Sequence, residues 1–206
     1  DFDAYPRMAE ADAARLAEGG VETLWMPGVG DMYPDGFVTS VSVATLGDGL
    51  CGAARPGHFD GVATVVSKLF NQVRPDIAVF GEKDWQQLAI LRQLNRDLDF
   101  GIEIIGAPIR RDGDGLALSS RNVYLSPEER TQALSLSRGL RRAKALYDDG
   151  IRDAHSLRQF VVDEITAQPL AAIDYVSLAD AATLEELSGP VLAPALLSLV
   201  VRFGTT

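Results

Sequence analysis

Lys83 is the residue around which the chemistry of this chain gathers, within Val79-Phe80-Gly81-Glu82-Lys83-Asp84-Trp85-Gln86-Gln87. It follows a short apolar run, Ile77-Ala78-Val79-Phe80, and a glycine, which reads as a buried strand entering a turn. A helix is expected from near Asp84. In an α/β sheet, ligands sit beyond the carboxyl ends of the strands, and the free amides of the following helix favour anions there. A lysine at that junction is placed to meet phosphate, and Gln86 and Gln87 add neutral donors and acceptors for a polar substrate. A solvated strand-to-helix turn fits the same pattern.

Two further clusters carry related chemistry. Asp112-Gly113-Asp114-Gly115-Leu116-Ala117-Leu118-Ser119-Ser120-Arg121-Asn122 ends in two hydroxyls, a guanidinium and an amide. Serine and arginine together grip a polyphosphate well, because arginine is a forked, permanently charged donor; a polar interdomain loop is the alternative. The glycine-rich stretch Gly52–Gly61 holds Arg55 and His58. Arg55, beside Pro56, is a candidate anion contact or a surface salt bridge. His58 reads as a brace for the next helix or as a functional group.

The surrounding elements must position these groups. Met8–Glu18 followed by Gly19-Gly20 predicts a helix with a glycine cap. Alternation predicts strands at Val21–Trp25 and Phe37–Val43, with a loop from Gly28 to Gly36 between them. Val62, Val65, Val66, Leu69 and Val73 mark the apolar stripe of a helix. The helix from Asp84 is expected to bury Leu88, Leu91 and Leu94 or Leu98, and Ile102–Ile109 is expected to form a second strand, parallel to the first. Ser126, Pro127 and Glu129 announce a helix start with a capping box; that helix runs to about Asp149, stops at Gly150 and turns Leu134, Leu136, Leu140 and Leu146 inward. A helix over 154–167, a strand over 173–178, a short helix near 183–187 and a strand over 195–203 follow, with His155 on the surface. The expected organisation is a doubly wound, Rossmann-like α/β domain over residues 1–109 and a smaller α+β domain, with an antiparallel sheet, over 110–206.

Composition bounds the function. The 206 residues are 47% hydrophobic and 23% charged, as in ordinary globular chains, and the net charge of −10 argues against a broad nucleic-acid surface. The one cysteine, Cys51, excludes an internal disulfide and fits a reducing, cytoplasmic setting. The longest apolar run, Val191–Val201, contains Pro194 and is too short to span a membrane. Both ends read as cut edges of a longer protein.

Taken together, Phe80–Gln87 and Asp114–Asn122 resemble the pantoate–β-alanine ligase family, and Tyr5-Pro6-Arg7, Met32-Tyr33-Pro34 and Arg55–Val62 match it too, in order along nearly the whole chain. The resemblance implies a nucleotidylyl transferase-like fold with a C-terminal lid, a cytoplasmic homodimer, and condensation of pantoate with β-alanine. The reaction would consume ATP with Mg²⁺, pass through a pantoyl-adenylate, and release AMP and pyrophosphate. It implies Lys83, Ser119 and Arg121 as catalytic groups and Phe80, Gly81, Lys83, Asp84, Leu118, Ser119, Ser120 and Arg121 as the ATP site. Gln87 would bind pantoate and Arg55 would shape the cleft; no protein-held metal is implied. One departure stands out. The family's His-x-Gly-His signature is absent, since the two histidines, His58 and His155, lack that context. The chain is therefore expected to lack its N-terminal part and to have reduced or no activity by itself. The rival readings are a non-catalytic nucleotide-binding fragment and another nucleotidylyl transferase of the same fold.

Overall fold

The computed structural model describes residues 8–206, so Tyr5, Pro6 and Arg7 lie outside the described residues. The chain forms two compact units, one ending at Thr39 and the other spanning Ser40–Thr206.

In the first unit, helix α1 covers Ala9–Glu18. Gly20, at φ 80°, takes the left-handed conformation that ends it, one residue later than the cap itself. The strand expected at Val21–Trp25 does not form. Alternation fixes which side chains share a face but supplies no neighbouring strand, and a strand exists only as part of a ladder. Within the expected loop lies a one-turn helix, α2 (Val29–Met32), started by a hydrogen bond from the Gly28 amide to Asp31 Oδ2 at 2.9 Å. Tyr33 and Phe37 then meet edge to face at 5.2 Å.

The second predicted strand, Phe37–Val43, is also absent, and the boundary between the units falls inside it. On the Ser40 side, the Val41 amide donates to Thr64 Oγ1 at 2.9 Å instead of to a ladder, and Val41 and Val43 pack on the core of the second unit.

That core begins with α3 (Cys51–Ala54), α4 (His58–Val73), β1 (Ile77–Gly81), α5 (Trp85–Asp97) and β2 (Glu103–Ala107). Strands β1 and β2 are parallel, with Ile77 opposite Glu103 and Gly81 opposite Ala107. The crossover helix α5 buries Leu88, Ile90, Leu91 and Leu94 on the strands, while Leu98 is exposed. Each fully buried leucine contributes roughly 1.5–3 kcal/mol. On α4 the most buried side chains are Phe59, Ala63, Val66 and Phe70; of the expected stripe Val66 is buried, Val62, Val65 and Leu69 are half-buried, and Val73 is exposed. The aromatics account for the difference: Phe70 packs edge to face on Phe80 at 6.3 Å and on Phe100 at 5.5 Å, and burying two large rings outweighs burying valines. Ile77 and Val79 are exposed, so β1 is covered on one face only among the described residues, not on both as its apolar run implied.

The remaining elements are α6 (Pro127–Asp148), α7 (Ala154–Thr166), β3 (Ala171–Asp180) and β4 (Ala195–Phe203). Ser126 and Glu129 form the expected capping box, and Gly150, at φ 103°, follows the end of α6. The buried line of α6 is Ala133, Ser135, Ser137, Gly139 and Ala143, and the leucines flank it half-buried. Small residues let α7 approach: Val161 Cγ1 and Glu164 Cβ pass within 3.4 and 3.6 Å of where a Cβ on Gly139 would stand. Strands β3 and β4 are antiparallel, as expected, with a bulge between Ile173 and Tyr175. No helix forms near residues 183–187. The Asp180 carboxylate accepts from the amides of Ala182 and Thr183 at 2.8 and 2.9 Å, closing a turn in which Leu184 reaches φ 61°. Among the described residues, no helix is long and apolar enough to cross a membrane.

The Ser126 cap gives a direct check. Ser126→Ala removes the acceptor for the Glu129 amide and is expected to cost about 1 kcal/mol in urea denaturation, with the m-value unchanged.

Candidate active site

Because Gly81 and Ala107 are paired in a parallel ladder, the chain leaves β1 and β2 at the same edge of the sheet. The first exit is a 3-10 turn, Glu82–Asp84, before α5. It holds Lys83 up into solvent, with its Nζ 3.5 Å from Asp84 Oδ1 and both side chains well exposed. Such a pair is weak in water and leaves the ammonium available to a stronger anion. Phe80 faces the other way, with its ring against the core, and Gly81 is extended. Sequence reasoning passed over Gly106. A Cβ there would stand 3.1 Å from Glu82 Cγ, Glu82 Oε1 and Leu88 Cδ2, so the glycine lets the lysine turn sit down on β2. A glycine inside a strand was the available signal.

The two glutamines have different fates. Gln86 is buried, and its amide is fully engaged inside the protein. Nε2 donates to the carbonyls of Leu46 and Gly49, each at 2.8 Å, and Oε1 accepts from the Cys51 amide at 3.0 Å. This corrects the expectation that both glutamines face a substrate. Gln87 is half-buried, and its side chain makes no hydrogen bond to the described residues. Trp85 reaches further, its indole N–H donating to the Ala181 carbonyl at 3.3 Å.

Arg55 closes α3 and is exposed on the loop that leads into α4. Gly57, at φ 77°, makes the left-handed turn before His58, the first residue of that helix. The His58 ring lies 4.9 Å from that of Phe59. Its pKa is lowered from 6.5, chiefly by burial and then by the positive charges of Arg55 and Arg121. The third cluster is thereby tied to the second, because Arg121 lies within electrostatic reach of the Arg55–His58 loop.

The segment that carries Arg121 is braced on both sides. Arg130, in the first turn of α6, binds Asp112 at 2.7 Å and Asp114 at 2.8 Å. Asp114 also accepts from the Leu116 amide, and that bond foremost lowers its pKa. Asn122 Nδ2 donates to the Ala117 carbonyl at 3.0 Å, and Ser119 Oγ accepts from the Arg121 amide at 3.2 Å. Leu118, Ser120 and Arg121 are exposed on this rigid base, while Ser119 is half-buried. Neither of two neighbouring clefts is lined by Lys83, Gln87, Ser119 or Arg121. The larger, of 540 Å³, runs from Leu50 and Ala53 to Tyr175 and Glu186. The smaller, of 290 Å³, is lined by Gly47, Gly52 and Phe59 among others. Cys51 lies close to the larger cleft, its Sγ 3.1 Å from the Tyr175 hydroxyl, whose pKa burial raises.

The sign of the histidine effect is testable. The folded ring resists protonation where the unfolded chain's ring already accepts a proton. Its contribution to stability is therefore full above pH 6.5 and declines as pH falls below that value toward the lowered folded pKa. Arg55→Ala removes one of the two cations and is expected to move the His58 midpoint upward in an NMR titration.

The comparisons with known proteins converge. The family described as Pantoate-beta-alanine ligase matches residues 1–206. The pantothenate synthetase of Sphingopyxis alaskensis is 58% identical over 206 residues, covering 100% of this chain and 73% of that protein. That of Heliobacterium modesticaldum is 52% identical, covering 99% and 72%. The crystal structure of pantothenate synthetase from Thermus thermophilus superposes with a TM-score of 0.94 at 46% identity, over 98% of this chain and 73% of that one. The Francisella tularensis pantoate-beta-alanine ligase, complexed with beta-gamma ATP and beta-alanine, gives a TM-score of 0.74 at 28% identity, over 98% and 72%. The fold is thus the α/β, nucleotidylyl transferase-like one of those enzymes, and the chain belongs to the pantoate–β-alanine ligase family.

Proposed function

We propose that this chain performs the ATP-dependent condensation of pantoate with β-alanine, by way of a pantoyl-adenylate. A pantoate carboxylate oxygen attacks the α-phosphorus of ATP, and the bond to the β-phosphate oxygen breaks to release pyrophosphate. The β-alanine amine then attacks the acyl carbon. AMP leaves with the electron pair of the acyl–oxygen bond, and the amine loses a proton. The observation that best supports this reading is the exposed lysine turn and the braced Ser-Ser-Arg loop in a chain of this family, one of whose members binds ATP and β-alanine. Both steps need chiefly positioning and neutralisation of charge on phosphate oxygens, and those are what lysine, arginine and hydroxyl donors supply.

In this reading residues up to 109 hold the nucleotide and residues 110–206 form the lid. Lys83 stabilises the charge that builds on the α-phosphate, and Gly81, Asp84 and the backbone of Phe80 line the nucleoside. Ser119, Ser120 and Arg121 grip the polyphosphate, with Leu118 packing beside them. Gln87, whose amide makes no bond within the described protein, hydrogen-bonds pantoate, and Arg55 adds positive charge at the rim. Magnesium would come with the nucleotide and would neutralise part of its phosphate charge. The protein would work in the cytoplasm as a homodimer.

A second reading is nucleotide binding without turnover, for which the same exposed lysine turn and Ser-Ser-Arg loop would suffice. Pantoate-dependent exchange between ATP and pyrophosphate in the presence of Mg²⁺ separates the two. Exchange is expected if the adenylate forms; nucleotide binding by a folded protein that shows no exchange would favour the second reading. Within the first reading, Lys83→Ala is expected to lower exchange turnover by ~10²–10³-fold, the usual loss for one charge-stabilising donor, with the melting temperature little changed. Normal turnover in that variant would remove Lys83 from the mechanism.

A further inference from the structure

We propose that Gln86 is a positioning residue for the condensation: it pins the 46–51 segment against the start of α5 and so fixes where Arg55 stands relative to the Lys83–Gln87 turn. The inference rests on the reaction proposed above.

The geometry of this contact is specific. One buried amide ties together three backbone groups that lie 35 to 40 residues away in sequence: the carbonyls of Leu46 and Gly49 and the amide of Cys51. Both donor hydrogens of Nε2 are thus used, in opposite sense to the single bond that Oε1 accepts, and only a primary amide offers that set. The segment it holds would not keep its shape unaided. Thr45 at φ 67° and Leu50 at φ 52°, ψ −123° are non-glycine residues in conformations that cost energy and persist only where the surroundings impose them. Gly52 closes the same segment. A Cβ there would stand 1.7 Å from the Gly47 carbonyl oxygen, so this close approach admits glycine alone.

What the pinned segment carries gives the contact its consequence. It runs directly into α3, whose last turn ends at Arg55, and the Arg55 amide donates back to Gly52 at 3.2 Å. Gln86 is meanwhile followed by Gln87 and preceded by the lysine turn, on the same short stretch of chain. One side chain thus fastens the loop bearing Arg55 to the element bearing Lys83 and Gln87. Leucine, of similar size, would fill the space and leave the Leu46 carbonyl and the Cys51 amide without partners, while the Gly49 carbonyl keeps the amides of Gly52 and Ala53; that loosening frees the segment to relax its strained residues.

Gln86→Leu tests this, with Gln86→Glu as a second variant that keeps the acceptor for the Cys51 amide but loses donors to the two carbonyls. In the folded leucine variant, exchange turnover is expected to fall roughly 10- to 100-fold, as for small displacements of a positioned group, with a lesser change in the KM for ATP. The His58 titration midpoint is expected to rise toward 6.5, because the pinned segment packs on Phe59 beside it through Gly47 and Gly52, and its loosening uncovers a ring whose burial is the chief cause of the lowered value. With two histidines in the chain, NMR resolves that midpoint cleanly. The glutamate variant is expected to shift both quantities in the same direction. A purely space-filling or stabilising role would leave both unchanged in whichever variant folds, and that result would overturn the proposal. Absence of exchange in the unsubstituted protein would defeat the reaction, not the positioning role; the His58 midpoint then decides that role alone, a shift supporting it and an unchanged value overturning it.

Discussion

The parallel pairing of β1 with β2 is the constraint on which the rest depends. A parallel ladder forces both strands to end at one edge, so Gly81 and Ala107 release their following segments on the same side of the molecule. The two polar clusters, 80–87 and 112–122, need no contact between them to be delivered there; the backbone hydrogen bonds of the sheet do it. The pairing requires a crossover helix that buries its own leucines, and α5 does so with Leu88, Leu91 and Leu94.

Around that edge, the protein uses charged and polar side chains to hold loops rather than to meet ligand. Arg130 takes both aspartates of the Asp-Gly repeat, Asn122 takes the Ala117 carbonyl, and Gln86 takes the 46–51 segment. Such bonds become worth more as they are buried, since an unmatched polar group inside the protein is costly. Lys83, Ser120 and Arg121 are exposed on the backbone that these bonds hold.

Local signals were legible in the sequence wherever the physics was local. The Ser126–Glu129 box, the glycines at 20 and 150, and the apolar runs of β1, β2 and β4 were readable because the residues that decide them lie within a turn or a strand of one another. Val21–Trp25 and Phe37–Val43 had strand-like alternation, but a strand is decided by its neighbour, and Val41 found a threonine hydroxyl on α4 instead. The inward face of α6 was misread for a related reason. Leucines announce hydrophobicity, yet the close approach of α7 selects alanine, serine and glycine at the seam. In the site, the motifs identified the right loops but not the division of labour within them. Nothing in two adjacent glutamines reveals that one points inward, because its partners lie 35 or more residues away. The resemblance to a family named the chemistry that spacing alone left open.

The bond from the Trp85 indole to the Ala181 carbonyl has a practical side. Trp85 opens α5 directly after the lysine turn, whereas Ala181 begins the turn after β3, so one aromatic ring spans the parallel and antiparallel halves of the second unit. Indole emission shifts in colour and intensity when that N–H exchanges a carbonyl for water. With Trp25 as the one other tryptophan, the protein carries its own optical gauge of whether its two sheets move together or apart, readable without any attached dye.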